Sequence, residues 1–127
     1  MAIKITRDEV KDLTIHVVIG PVSEEEMYDA IENFYNREPT MFLLWDMSQA
    51  EVADVASSVL EAFVQRAATL EGKRKGGRTA VFAPYDVQFG LGRMSEAFAE
   101  LKSMPFKFRV FRSRQCALEW LISDYSS

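Results

Sequence analysis

Cysteine and histidine are almost absent from this 127-residue chain, which holds Cys116 and His16 and no other residue of either type. One thiol forms no internal disulfide, and one thiol with one imidazole supplies too few soft ligands for a structural zinc site. A reducing cytoplasm is the expected compartment. No run approaches the roughly 20 apolar residues that span a bilayer, and residues 1–9 have no signal-peptide core, so neither membrane insertion nor export by that route is expected. A strong excess of one charge is also missing. The 15 Lys and Arg stand against 19 Asp and Glu, for a net charge of -4, which argues against a nucleic-acid partner or an anionic membrane surface. Internal repeats and low-complexity linkers are absent as well.

What is present is enough apolar sequence, 48% of residues, to fill one core, so residues 1–127 are expected to form a single domain. Two apolar stretches around residues 6–12 predict an opening β-hairpin, with Leu13, Ile15 and Val17 on one face and Thr14 and His16 on the other. Gly20-Pro21 breaks the strand. Ser23, with Glu26 three residues later, is a capping-box pattern opening a helix that buries Met27, Ala30, Ile31, Phe34 and Tyr35. Pro39 stops it, and the continuous run from Met41 to Trp45 predicts a central strand covered on both faces.

Asp46-Met47-Ser48 is read as leaving that strand, after which apolar spacing from Val52 through Leu70 predicts a long amphipathic helix. Gly72 and the cations Lys73, Arg74 and Lys75 suit a solvated helix end, and Gly76-Gly77 suits a turn into a second interior strand at Thr79 to Ala83. Leu91, Met94, Phe98 and Leu101 predict the buried stripe of a third helix. Pro105 then introduces Phe106, Phe108 and Val110, alternating with Lys107 and Arg109 as in a strand near an edge. Ser113 caps a last helix with Ala117, Trp120 and Leu121 inward and Cys116 as a small buried hydrophobe. The fold class is therefore α/β, with a mixed, mostly parallel sheet of about five strands and about four helices.

This order, with Leu44-Trp45-Asp46-Met47-Ser48 leading toward a long helix, resembles the STAS domain of anti-sigma factor antagonists, most closely its SpoIIAA-like branch. Gly20-Pro21-Val22-Ser23, Phe89-Gly90-Leu91-Gly92-Arg93-Met94 and Val110-Phe111-Arg112-Ser113 extend the likeness over nearly the whole chain. The resemblance implies a regulatory module that binds protein and a phosphorylated serine in an Asp-Ser-Ser-Gly segment at a helix N-terminus. Trp45-Asp46-Met47-Ser48 matches the family's strand end, and Asp54 falls at its aspartate. Val55 and Ala56 follow instead of the serines, with Ser57 and Ser58 displaced one to two residues, so the sequence departs from the pattern at the switch itself.

Asp46, Ser48, Asp54, Ser57 and Ser58 form the candidate interaction surface, with Asp46, Glu51 and Asp54 expected to crowd the helix start with negative charge. Plainer readings stand beside these. Ser48 with Glu51 is a second capping box, and Ser57 and Ser58 are helix-surface serines, one of them half covered. Tyr85, Asp86 and Arg93 follow the second interior strand and mark a candidate ligand cleft, because α/β sheets build clefts at the carboxyl ends of their strands. Asp86 as a helix cap and Arg93 paired with Glu96 or Glu100 are the structural alternatives. Gly90 and Gly92 lack the third glycine and the position of a dinucleotide fingerprint. His16 has no nucleophile near it in sequence and reads as a structural strand residue.

With no nucleophile, base and orienting group at recognisable spacing, no enzyme activity, cofactor or metal is expected. The expected partner is a protein. The alternative is a small-ligand or lipid-binding domain, through the SpoIIAA-like branch's resemblance to CRAL-TRIO folds, and a homodimer is compatible with either.

Overall fold

A computed structural model describes residues 1–70, 74–104 and 106–123. Gly72, Lys73 and Pro105, read above as helix end and strand entry, lie outside the described residues. The elements run β1 (Ala2–Asp8), β2 (Leu13–Pro21), α1 (Glu24–Asn36), β3 (Phe42–Glu51), α2 (Ser57–Thr69), β4 (Arg78–Phe82), α3 (Asp86–Leu101), β5 (Lys107–Phe111) and α4 (Arg114–Ile122). The sheet order is β1-β2-β3-β4-β5, antiparallel at β1/β2 and parallel elsewhere. This is the expected mixed sheet, with four helices among the described residues.

Topology dictates the layering. From β2 onward each parallel strand is laid beside the one before, so successive right-handed crossovers place α1, α2 and α3 on the same face. Val18, Leu43, Trp45, Val81 and Val110 pack there with Met27, Ile31, Phe34 and Phe63. The chain leaves β5 with no further strand to form, and α4 closes the opposite face, where Ala117 and Leu121 meet Leu44 and Ala80. Leu43 pairs with Thr79 and Trp45 with Val81, so the two apolar runs lie side by side in mid-sheet. β5 is an edge strand, with Lys107 and Arg109 exposed as its alternation implied.

Several local readings are overturned. Thr14 and His16 are buried like Leu13, because β2 is an interior strand with α1 above it. β3 does not end at Asp46. After a register shift between Val17 and Ile19, β2 goes on pairing with Gln49, Ala50 and Glu51, and that ladder holds Ser48 inside the strand. Ser48 and Glu51 therefore cap nothing, and α2 begins at Ser57, with Val52 and Val55 buried or half-buried in the turn before it.

On α3 the stripe is rotated. Met94 is 38% and Leu101 79% exposed, whereas Gln88, Gly92 and Ala99 are buried. Gly92 sets this rotation, since a Cβ there would sit 2.4 Å from Cγ2 of Val110, so only a glycine lets helix and strand approach so closely. Cys116 is exposed, on the outer side of α4. The caps at Ser23 and Ser113 form as read, their hydroxyls accepting from the amides of Glu26 (3.3 Å) and Cys116 (3.2 Å).

Candidate functional site

The predicted interaction residues divide into two groups. Asp46 and Ser48 are held within β3, where one carboxylate oxygen of Asp46 accepts from the Ser48 amide (3.0 Å) and hydroxyl (2.6 Å). The other accepts from Nε of Arg114 at 3.3 Å, tying β3 to the first residue of α4. Asp46 is 6% exposed and its bonds are all internal to the fold, which makes this group a fastening between sheet and helix.

Asp54, Ser57 and Ser58 form the second group, all exposed, around the start of α2. Ala56 is the N-cap and has no side-chain oxygen to offer, so the first amides of the helix are uncapped. Val59 and Leu60 are the first amides to bond back, both to the Ala56 carbonyl, at 3.0 and 3.3 Å. The first turn carries no acidic residue. The expected crowding of negative charge is not built, because Asp46 is paired with Arg114 and Glu51 ends β3, leaving Asp54 in the connecting turn. Both serines are exposed, neither half covered, and they occupy the first two helical positions of an electropositive helix end.

Tyr85 and Asp86 lie where β4 hands over to α3, at the carboxyl edge of the sheet, and both are exposed. Asp86 pairs with Arg112 at 2.9 Å, and Arg93 pairs with Glu96 at 3.2 Å, as its structural alternative anticipated. None of the three lines the apolar cavity described below.

Sequence reasoning missed two buried polar groups. Arg74, read as part of a solvated basic cluster, has no exposed surface. Its Nε donates to the Thr40 carbonyl, Nη1 to the Tyr35 and Thr79 hydroxyls, and Nη2 to the carbonyls of Met41 and Arg78, all at 2.8 to 3.1 Å. All five guanidinium donors are thus satisfied without a carboxylate bond, and the rings of Phe34 and Phe106 stack within 5.2 and 4.7 Å of the cation. Burial pulls its pKa down from the ordinary arginine value, and Tyr35 opposes that shift.

Gln88, in the first turn of α3, is the second. Its amide nitrogen donates to the Ala50 carbonyl at 3.0 Å, and its Oε1 has no partner among the described residues. Gln88 lines a cavity of about 130 Å³ between the sheet and α1, α2 and α3, walled mostly by apolar side chains such as Leu43, Val81, Leu60 and Leu91, with Tyr35, Thr79 and Ser95 also in its lining. A single glutamine between Val87 and Phe89 carries no sequence signal that it would line a hollow.

His16 packs edge-on against Trp45 and Phe34, with ring centroids 4.4 and 5.8 Å away, and burial lowers its pKa to about 4. It stands beside Trp45 on the face under α1, while Asp46 and Ser48 face α4, so no imidazole reaches that hydroxyl. Among the described residues no group of three or more His, Cys, Asp or Glu is placed to hold a metal ion, and no helix is long and apolar enough to cross a membrane.

The strand order, the three helices on one face and the closing α4 together define the STAS fold of the SpoIIAA type. The chain is similar in structure to the anti-sigma factor antagonist SpoIIAA in its unphosphorylated form, with a TM-score of 0.56 and 8% identity over 96% of this chain and 99% of that one. It is similar also to an anti-sigma factor antagonist from Mycobacterium paratuberculosis, with a TM-score of 0.51 and 18% identity over 94% of each chain. No protein-family model matches the sequence, and no curated protein matches it.

Proposed function

We propose that this chain is a non-enzymatic regulatory module of the cytoplasm that binds a protein partner through the start of α2. One observation carries the reading: the α2 N-terminus is exposed and uncapped, with Asp54, Ser57 and Ser58 around it, in a fold shared with two anti-sigma factor antagonists. Free amides and a positive dipole end favour an acceptor from a partner, or a phosphate on Ser57 or Ser58. The Asp46, Ser48 and Arg114 fastening lies beneath and holds β3 to α4, so its role here is support. Tyr85 and Asp86, at the sheet's carboxyl edge, and Arg93 two turns along α3 would extend the contact surface toward that helix.

Affinity capture from the native cell with the wild-type chain and with Asp54→Arg tests the proposal. A regulatory partner retained by the first and lost by the second supports it, and identical partners on both count against this surface. Lipid carriage in the CRAL-TRIO manner is the weaker reading, since a cavity of about 130 Å³ falls well below the roughly 300 to 1,000 Å³ of pockets that enclose drug-sized ligands.

A further inference from the structure

α1, α2 and α3 lie side by side on one face of the sheet, yet their outer surfaces differ in kind. Every exposed residue of α1 and α2 is polar. On α3 the exposed residues include Val87, Gly90, Met94, Ala97 and Leu101, with Val87 58% and Leu101 79% accessible. These five recur at alternate steps of three and four residues and carry no polar side chain. They form one stripe along the helix, on the side away from the buried Gln88, Gly92 and Ala99. A helix apolar on both sides is ordinarily covered on both, and a continuous exposed apolar stripe marks an interaction surface.

We propose that this stripe is the seat of a two-fold dimer, in which α3 packs antiparallel against α3 of a second copy of the chain. The stripe is large at Val87, Met94 and Leu101 and small at Gly90 and Ala97, each set seven residues apart, which is the heptad pattern of a helix seam. Charge selects the partner and the register. Asp86, Arg93 and Glu100 run along one flank of the stripe, also seven residues apart, and all are exposed. With Met94 of one copy set against Ala97 of the other, Leu101 falls against Gly90, a large side chain over a small residue each time. The same register brings Arg93 of each copy beside Glu100 of the other. Sliding by one heptad, so that Met94 meets Gly90, sets Arg93 against Arg93 and Asp86 against Glu100, and like charges oppose that alternative. The Glu100 carboxylate is bonded to no described residue, and Arg93, though paired with Glu96, keeps donors to spare. A membrane surface fits less well, because two of the three flanking charges are acidic. The dimer goes beyond partner recognition at α2, sharing only Asp86 and Arg93 with the margin of that surface.

Analytical ultracentrifugation of the full chain, in a dilution series reaching millimolar concentration, should show monomer and dimer in equilibrium. Met94→Glu should weaken association by about 10-fold or more, and Arg93→Glu and Glu100→Arg should each weaken it in the same direction. Mixing those last two variants should restore it, because opposite charges then face each other across the seam. Asp54→Arg should associate as the wild type does, which separates this result from partner recognition at α2. Circular dichroism checks that each variant is folded, and Ala97→Glu stands in should Met94→Glu fail to fold. A wild-type chain that stays monomeric throughout, leaving the stripe to a different protein or a membrane, would overturn the proposal. So would association undiminished by a glutamate in the stripe, or no recovery on mixing.

Discussion

The Tyr35 hydroxyl, at the end of α1, accepts a hydrogen bond from Nη1 of Arg74 at 3.1 Å, joining the first helix to the segment that enters β4. The same guanidinium holds the carbonyls of Thr40 and Met41 just before β3 and that of Arg78 at the start of β4. One side chain therefore gathers the amino ends of the two middle strands under α1. Replacement by Met removes five buried hydrogen bonds at once, of whose acceptors the Met41 carbonyl keeps the Arg78 amide at 2.9 Å, and a loss of roughly 3 kcal/mol or more is expected. Against a total of about 5 to 15 kcal/mol, urea unfolding should show a much lower midpoint. Arg74→Lys, with three donors and no planar fork, should fall between the two.

Why this residue escaped the sequence is plain from its partners. Arg74 is flanked by Lys73, Lys75 and two glycines, a composition that reads as a solvated turn, while three of the groups that bury it, Tyr35, Thr40 and Met41, come from 33 to 39 residues earlier. Element types were legible because the 3.6 and 2.0 periods are local, and the caps at Ser23 and Ser113 were legible for the same reason. The end of β3 was not, because its last three residues are held in the sheet by pairing with Ile19 to Pro21 across the ladder. Asp54, Ser57 and Ser58 were picked out from the sequence, but their position relative to a helix start was set by that longer strand.

His16 predicts a pH dependence. With a folded pKa of about 4 against 6.5 in the unfolded chain, the unfolded state binds the extra proton between those values. Stability is therefore fully present above pH 6.5, falls as pH drops toward 4, and levels off below it, by roughly 3 kcal/mol from this group. Denaturation measured from pH 7 to 4 should show that slope, and His16→Leu should flatten it.

Gly92 and Val110 should behave as a coupled pair. Gly92→Ala drives a methyl into Val110 and is expected to destabilise by about 1 to 3 kcal/mol, despite alanine's better helix propensity. Val110→Ala makes room for that methyl. The double variant should be more stable than the sum of the single effects predicts, and simple additivity would show that the helix shifts instead.

The same logic separates support from surface around β3. Asp46→Ala leaves Ser48 and Arg114 without their acceptor and should lower the thermal midpoint, whereas Asp54→Ala, exposed and bonded to no described residue, should leave it within about 0.5 kcal/mol of wild type. A large thermal effect of Asp54→Ala would place that side chain in the fold's framework.

Site-directed photocrosslinking in the native cell reads the partner surface most directly. A crosslinker at Ser58 should yield a discrete adduct with one regulatory protein, and the same group at Lys4, exposed on β1, should not. Adducts at Lys4 and none at Ser58 would contradict recognition through the start of α2.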